Sequence, residues 1–377
     1  MAKTVMLCGS GEAGGWALEL LARSEGVDRL VVFDVKEEEG LPRTHLAAIG
    51  SVFQGFSKEF VLRTNDVTDI EATAKLLDEF KPDAIFTSVT LQSPRLLMMA
   101  DIPQDTRAKL KEATFGVWAP WHIILPSKLI QAVKKAGIQT HVVNISFPDL
   151  VNPVLWKYHG FGPTVGAGNL EITVALVTKY ISMMEKVPVT EITPYFVGAH
   201  AFMSMGPRAG VPHFAKIMLG DRDITDKYDL EWIIHEWPVS LRWGKTTIFS
   251  IFSASAVKNI LGILRDSHEF AHAAAPNGLP GGYPVRLSAK GAEIVLPQEL
   301  TLEQAIRINQ EGNKYDGIEE IKDDGTVVYT DKTYSIMKEL GYDCRQFSFD
   351  EVESRCEELR RLYAKLAAGD VNRARPS

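Results

Sequence analysis

The chain has 377 residues, 45% hydrophobic and 24% charged, with 29 glycines and 19 prolines, which are globular proportions for about two domains and exclude a collagenous, coiled-coil or disordered protein. Lysine and arginine total 41 against 48 aspartates and glutamates, a net charge of −7 that argues against a general binder of nucleic acid or anionic membrane.

In chain order, residues 4–8 read as a short apolar strand and 14–22 as a helix. Residues 30–33 form a second strand ending at Asp34, and 60–63 a third candidate. An amphipathic helix over 70–80 and a turn at Lys81-Pro82-Asp83 lead to a strand at 84–87. A helix over 126–136, which Gly137 can cap, precedes a strand at 140–143. Short apolar strands separated by helices imply a parallel, doubly wound α/β sheet with right-handed crossovers. From about residue 163 the texture changes. Gly166-Ala167-Gly168 leads into a helix over 170–184, then a strand at 194–197 and a Gly/Pro-rich loop to 212. Aromatic-rich segments containing Trp232, Trp237 and Trp243 follow, then a helix over 251–264, a turn at 279–283 and a hairpin over 285–297 bending near Gly291. A helix over 300–312 has Thr301 to cap it, and a charged helix over 350–368 runs into a frayed tail. The expected organisation is a doubly wound α/β domain over 1–150, a second domain over 151–345, and a C-terminal helix and tail over 346–377.

Three scattered cysteines, Cys8, Cys344 and Cys356, give neither a disulfide framework nor a cysteine zinc site. No apolar run approaches the ~18 residues of a membrane helix, and no signal peptide is read at the N-terminus. The expectation is a soluble, cytoplasmic protein with reduced thiols, acting on a small molecule rather than on nucleic acid or membrane.

The first strand runs into Gly9-Ser10-Gly11-Glu12-Ala13-Gly14, a G-x-G-x-x-G between strand and helix. Gly9 permits the tight turn, Gly11 lets backbone approach a pyrophosphate, and Gly14 lets helix and strand pack closely. The N–H groups of Glu12 and Ala13 open the helix toward the phosphates. Asp34, ending the second strand, can accept a ribose 2′-hydroxyl and repel a 2′-phosphate, so the expected cofactor is NAD rather than NADP. Hydride transfer to a carbonyl also needs a proton donor, for which histidine is suited, oriented by a carboxylate. His200 follows an apolar strand, and Glu171 opens the long helix.

Several of these elements together resemble the lactate/malate dehydrogenase family. They are the glycine fingerprint, Gly166-Ala167-Gly168-Asn169-Leu170-Glu171, Gly198-Ala199-His200, and Gly281-Gly282-Tyr283-Pro284 with Gly291 behind it. Trp156-Lys157-Tyr158-His159-Gly160-Phe161 looks like the segment before the family's glycines. The likeness spans residues 4–315. It implies a Rossmann domain followed by an α+β substrate domain, His200 and Glu171 as the acid–base pair, and a homo-oligomer, dimer or tetramer. Glu171 stands where the family has aspartate. Val174 stands where the family grips a substrate carboxylate with arginine, so a simple 2-hydroxy acid is not the expected substrate. Arg95, in Gln92-Ser93-Pro94-Arg95, and Arg208 are candidates for that lost grip, and Asn169 for a further substrate contact. Trp118 and Trp121 are candidates for an apolar or sugar-binding wall, with core packing as the plainer reading. Asn144 and Asn152 flank the place of the family's Asn-Pro near the nicotinamide, and Asn144 is taken as the cofactor contact.

The function expected is an NAD-dependent oxidoreductase interconverting a secondary alcohol and a ketone. Three alternatives stand beside it. His268-Glu269-Phe270-Ala271-His272 is an H-E-x-x-H that on a helix could hold zinc for hydrolysis. An NAD-dependent glycosidase would share the fold with no net redox change. A non-catalytic NAD-binding protein would suit the missing arginine.

Overall fold

The computed structural model describes residues 2–100, 102–242 and 247–368. Six parallel strands come first: β1 (Thr4–Cys8), β2 (Arg29–Asp34), β3 (Glu59–Thr64), β4 (Ala84–Thr87), β5 (His141–Asn144) and β6 (Val165–Gly166). They lie in the order β3-β2-β1-β4-β5-β6, the doubly wound arrangement expected from the sequence. The helices between them are α1 (Glu12–Ala22), α2 (Glu37–Val52), α3 (Ile70–Phe80), α4 (Pro94–Met99), α5 (Gln104–Ala113), α6 (Ala119–Ala136) and α7 (Pro148–His159).

β1, β2 and β4 read as nearly unbroken apolar runs because both of their faces are covered. Along β1, Met6 and Cys8 join one core with α3, α6 and α7, while Val5 and Leu7 join another with α1. β2 divides the same way, with Val31 and Phe33 on one side and Leu30 and Val32 on the other.

The later chain extends this sheet in antiparallel fashion. After α8 (Leu170–Glu185) come β7 (Ile192–Gly198), α9 (His200–Met205), β8 (His213–Leu219) and β9 (Arg222–Asp223). Then follow α10 (Trp237–Ser240), α11 (Phe249–Leu264), β10 (Phe270–Ala274), β11 (Gly282–Ser288) and β12 (Gly291–Ile294). Strand order continues β6-β10-β11-β7-β8-β9, with β12 paired to β11 in the hairpin expected around Gly291. β7 joins β11 through Gly198 opposite Gly282. A Cβ on Gly282 would lie 2.7 Å from Cε1 of the buried His272, so a larger residue there would displace that ring.

α12 (Leu302–Asn313) starts at Thr301 in a capping box with Gln304. β13 (Ile318–Ile321), β14 (Val327–Tyr329), α13 (Asp331–Leu340), β15 (Gln346–Phe347) and α14 (Val352–Ala368) complete the chain, the three strands forming a separate small sheet. This end returns to the first core, where Val352, Cys356, Leu359 and Leu362 pack among residues of α6. The tail from residue 369 and Trp243 lie outside the described residues. Among the described residues no helix is long and apolar enough to cross a membrane.

Candidate active site

The loop after β1 is a backbone cradle. Gly9 has φ +93°, and an added Cβ there would meet Val89 Cγ1 at 2.8 Å. At Gly14 a Cβ would fall 2.0 Å from the Gly9 carbonyl oxygen, so α1 can start this close to β1 only with glycine. A Cβ on Gly11, by contrast, would meet nothing within 4 Å, leaving open space before the helix. No side chain caps α1, so the N–H groups of its first turn, those of Glu12 and Ala13 included, lack helical partners. Asp34 stands at the tip of the neighbouring strand. Its Oδ2 accepts the Ser10 backbone N–H at 2.6 Å and the Ser10 hydroxyl at 2.7 Å, which fixes the carboxylate beside the loop. β1 and β4, adjacent at the point where strand order reverses, place this cradle in the crevice where doubly wound sheets bind ligands. Unpaired N–H groups for a pyrophosphate and a fixed carboxylate for a ribose hydroxyl fit a dinucleotide.

Asn144 is spent elsewhere. Its amide donates to the Ser146 carbonyl at 3.2 Å and to Asn152 Oδ1 at 3.0 Å, and its oxygen accepts the Ser146 N–H at 2.9 Å. Asn152 in turn donates to the Ala275 carbonyl. The two asparagines thus hold the β5–α7 turn together.

His200, at the start of α9, is the centre of a second assembly. Its Nδ1 donates to both Asp316 oxygens at 3.0 Å, the aspartate coming from the short turn after α12. A carboxylate on Nδ1 fixes the tautomer and leaves Nε2 for proton exchange. The His200 side chain is 15% exposed and that of Asp316 3%. Burial works against the charged ring, but Asp316 and then Asp149 outweigh it and hold the His200 pKa above its ordinary value. Asp149, in the first turn of α7, is buried and pushed up to about 6 by that burial, against the pull of His200 and Asn169. Asn169 Nδ2 donates to Asp149 Oδ1 at 2.7 Å. His122, near the start of α6, sits with Nδ1 2.9 Å from Ser146 Oγ; burial, then the neighbouring His200, pulls it down to about 3, so it is neutral. Phe115 and Phe147 pack on His200, each ring centroid 5.3 Å away. Among the described residues no arginine or lysine pairs with His200, Asp149 or Asp316.

Three residues around this cluster hold backbone conformations that side chains disfavour. Thr114, just before Phe115, has φ +67°; Phe147 has φ +42°; Asn169 has φ +54°. Such strain costs on the order of 1–3 kcal/mol per residue and gathers at functional sites.

The structure does not bring Glu171 to His200. Glu171 opens α8 but turns to α11, accepting the Ser255 hydroxyl at 2.7 Å and pairing with Lys258 at 2.9 Å. Its extra methylene and these two partners make it a tie between helices, and Asp316 takes the expected place beside His200. Val174, one turn on, lies with Glu171, Lys258 and His272 along a separate cavity of about 620 Å³ rather than beside His200. Trp118 and Trp121 are core residues: they stack at 5.0 Å, are almost fully buried, and Trp121 Nε1 donates to the Cys356 carbonyl. Arg208 is exposed, near Asp229, and joins no part of the cluster. Arg95 belongs to α4, and its side chain lies outside the described residues. Of the substrate candidates whose side chains are described, only Asn169 reaches the site, through Asp149.

The H-E-x-x-H is not helical. Its second half is β10, and along an extended chain residues four apart are separated by roughly 13 Å. His272 is buried with Nε2 on the Phe196 carbonyl, whereas His268 is exposed beside Asp266. A helical zinc site therefore does not form there. Cys8 is the buried last residue of β1, its thiol pushed up by burial, which suits packing.

No family model and no curated protein matches the chain. Solved structures do. A lactate dehydrogenase, MGS-M5, from a Medee basin deep-sea metagenome library is 14% identical with a TM-score of 0.59, over 83% of this chain and 96% of that one. The Cryptosporidium parvum lactate dehydrogenase, complexed with lactic acid and nicotinamide adenine dinucleotide, is 17% identical with a TM-score of 0.57, over 84% of this chain and 96% of that one. The Aeropyrum pernix malate dehydrogenase is 15% identical with a TM-score of 0.56, over 83% of this chain and 97% of that one. The chain has a lactate/malate dehydrogenase-like fold. At these identities the likeness concerns the fold: a Rossmann sheet continued by an α+β half.

Proposed function

We propose that the protein is an NAD-dependent oxidoreductase that interconverts a secondary alcohol and a ketone, with His200 and Asp316 as its acid–base pair. The observation that carries this reading is the His200 Nδ1–Asp316 bond at 3.0 Å in a chain that also holds the Gly9–Asp34 cradle. The first-turn N–H groups of α1 would bind the pyrophosphate, and Asp34 the adenosine ribose. NAD, when bound, would supply the hydride acceptor. His200 Nε2 takes the hydroxyl proton on oxidation and returns it to the carbonyl oxygen on reduction. Asp316 keeps Nδ1 protonated and stabilises the resulting imidazolium. Phe115 and Phe147 keep water from the ring. That no arginine or lysine among the described residues pairs with the cluster supports a substrate other than a simple 2-hydroxy acid, because a buried carboxylate needs one.

Reduced-nicotinamide absorbance, followed over polyols, sugars, aromatic alcohols and hydroxy acids, tests the reading. Failure of NADH to bind, or unchanged turnover in His200→Asn, refutes it. Self-association into a dimer or tetramer belongs to the same proposal, supported by the apolar side chains Leu46, Ile49, Val52 and Phe53 that α2 and its end expose. A monomeric mass by light scattering at working concentration would count against it. Three free, buried cysteines support a reducing compartment such as the cytoplasm.

A further inference from the structure

We propose that the substrate is a polyhydroxylated alcohol, with His122 and Asp149 holding a hydroxyl next to the one that reacts at His200. This deepens the oxidoreductase reading and rests on it.

Two buried polar atoms in the cluster have no hydrogen-bond partner among the described residues: His122 Nε2 and Asp149 Oδ2. The parent residues are 7% and 1% exposed. Each side chain is anchored, His122 by Ser146 at 2.9 Å, and Asp149 by Asn169 at 2.7 Å and by the His200 backbone N–H. Anchoring of this kind costs local strain at Asn169, whose φ is +54°. A buried polar atom without a partner is expensive, and two such atoms near one imidazole are best explained by a polar ligand.

The donor and acceptor types select the ligand. Asp149 as a carboxylate can only accept. If the Ser146 hydroxyl donates to His122 Nδ1, the imidazole proton sits on Nε2, which then donates. A hydroxyl can both donate to Asp149 and accept from His122, which matches the types of both atoms. A carboxylate in that place would face Asp149 and Asp316 with no described cation. An ammonium could donate to Asp149 but has no lone pair to accept from His122 Nε2–H, whereas a hydroxyl serves both. Neutral hydroxyls remain.

Calorimetric titration of the NADH-loaded protein, in which an alcohol cannot be oxidised, tests this directly. The probes are sorbitol, galactitol, ribitol and myo-inositol, against 2-propanol, lactate, malate and 1-amino-2-propanol. The same titrations without NADH report the polyol site by itself. At least one polyol should bind at least tenfold more tightly than 2-propanol. His122→Phe and Asp149→Asn should each weaken that polyol by about ten- to a hundredfold, the worth of a hydrogen bond to a charged or buried group, with NADH affinity retained. His122→Asn serves if His122→Phe does not fold. Tighter binding of lactate, malate or the amino alcohol overturns the proposal. So does failure of every polyol to bind, or unchanged polyol affinity in both variants. NAD-linked oxidation of a hydroxy acid would overturn it while leaving the oxidoreductase reading intact. Polyol binding that His122 and Asp149 control, with no NAD-linked oxidation, would do the reverse.

Discussion

The glycine cradle and the His200 pocket are built by opposite means. The cradle is made of main chain from one stretch, residues 9–34, and its side chains matter mostly by their absence: a methyl on Gly14 would sit 2.0 Å from the Gly9 oxygen. The pocket is made of side chains from five separate segments, and the His200–Asp316 bond spans 116 residues. A backbone site is inherited with its strand–turn–helix unit. A side-chain site depends on how distant parts of the chain come together, so it can change partners while the fold persists. Glu171, which opens α8 yet turns to Ser255 and Lys258, and Asp316, which reaches His200 from beyond α12, show how such pairings are decided far along the chain.

The comparison breaks if the two regions cannot be disabled separately. The largest effects belong to His200→Asn and Asp316→Asn, each expected to lower kcat by about 10²–10⁴ while NADH titrates as before. Gly14→Ala should do the converse, weakening NADH at least tenfold and costing ~1–3 kcal/mol of stability by overpacking, seen in fluorescence titration and thermal melting. If His200→Asn damaged NADH binding as severely as Gly14→Ala, the two sites would not be independent.

Asp34→Ala should narrow the preference for NADH over NADPH by about ten- to a hundredfold, since a charge-assisted hydrogen bond is worth ~1.5–3 kcal/mol. Equal affinities in the unaltered protein would remove Asp34 from the cradle. The pH profile sharpens the pocket. Because Asp316 and Asp149 hold the His200 pKa above its ordinary value, ketone reduction, which needs the protonated ring, should fall as pH rises through that raised pKa. Alcohol oxidation should rise through it. In Asp316→Asn the midpoint of the residual activity should move to lower pH, because burial then goes less opposed; a midpoint that stayed put would exclude Asp316 as the partner. The smallest effect is expected from Glu171→Gln: kcat within about threefold of the parent and a loss of roughly 1 kcal/mol in stability from the weakened tie to Lys258 and Ser255. A kcat loss matching that of His200→Asn would restore Glu171 to the catalytic pair.

The parallel half was legible because its signals are local. Short apolar runs buried on both faces give strands, and Ile70–Phe80 and Ala84–Thr87 fall where the sequence puts them. Prolines misled the reading where it failed. Pro126 looks like a helix start, yet α6 begins at Ala119 and runs through it, so His122 falls outside the expected helix. α7 was missed altogether, with Pro148 at its start and Pro153 inside, and Asp149 with it. α2 was missed for a related reason: Gly40, Pro42 and Gly50 interrupt it, and much of its apolar face points to solvent. Glu171 illustrates the limit of motif matching. Its position on the helix was read correctly, but which way a carboxylate turns depends on Ser255 and Lys258, far along the chain. Asp316 carried no local signal, since Lys314-Tyr315-Asp316-Gly317 differs little from any polar turn until α12 and β7 bring it to His200.

The strained residues Thr114, Phe147 and Asn169 also bear on how such a protein would respond to selection. A search for heat-resistant variants rewards relief of unfavourable main-chain geometry, and replacing Asn169 or Thr114 by glycine offers it directly. Those gains would come from the supports of Asp149 and Phe115, so the hardiest descendants would be the ones with the loosest grip around His200. Adaptation to heat that spared activity would have to draw its stability from elsewhere, such as the exposed helix surfaces far from the imidazole.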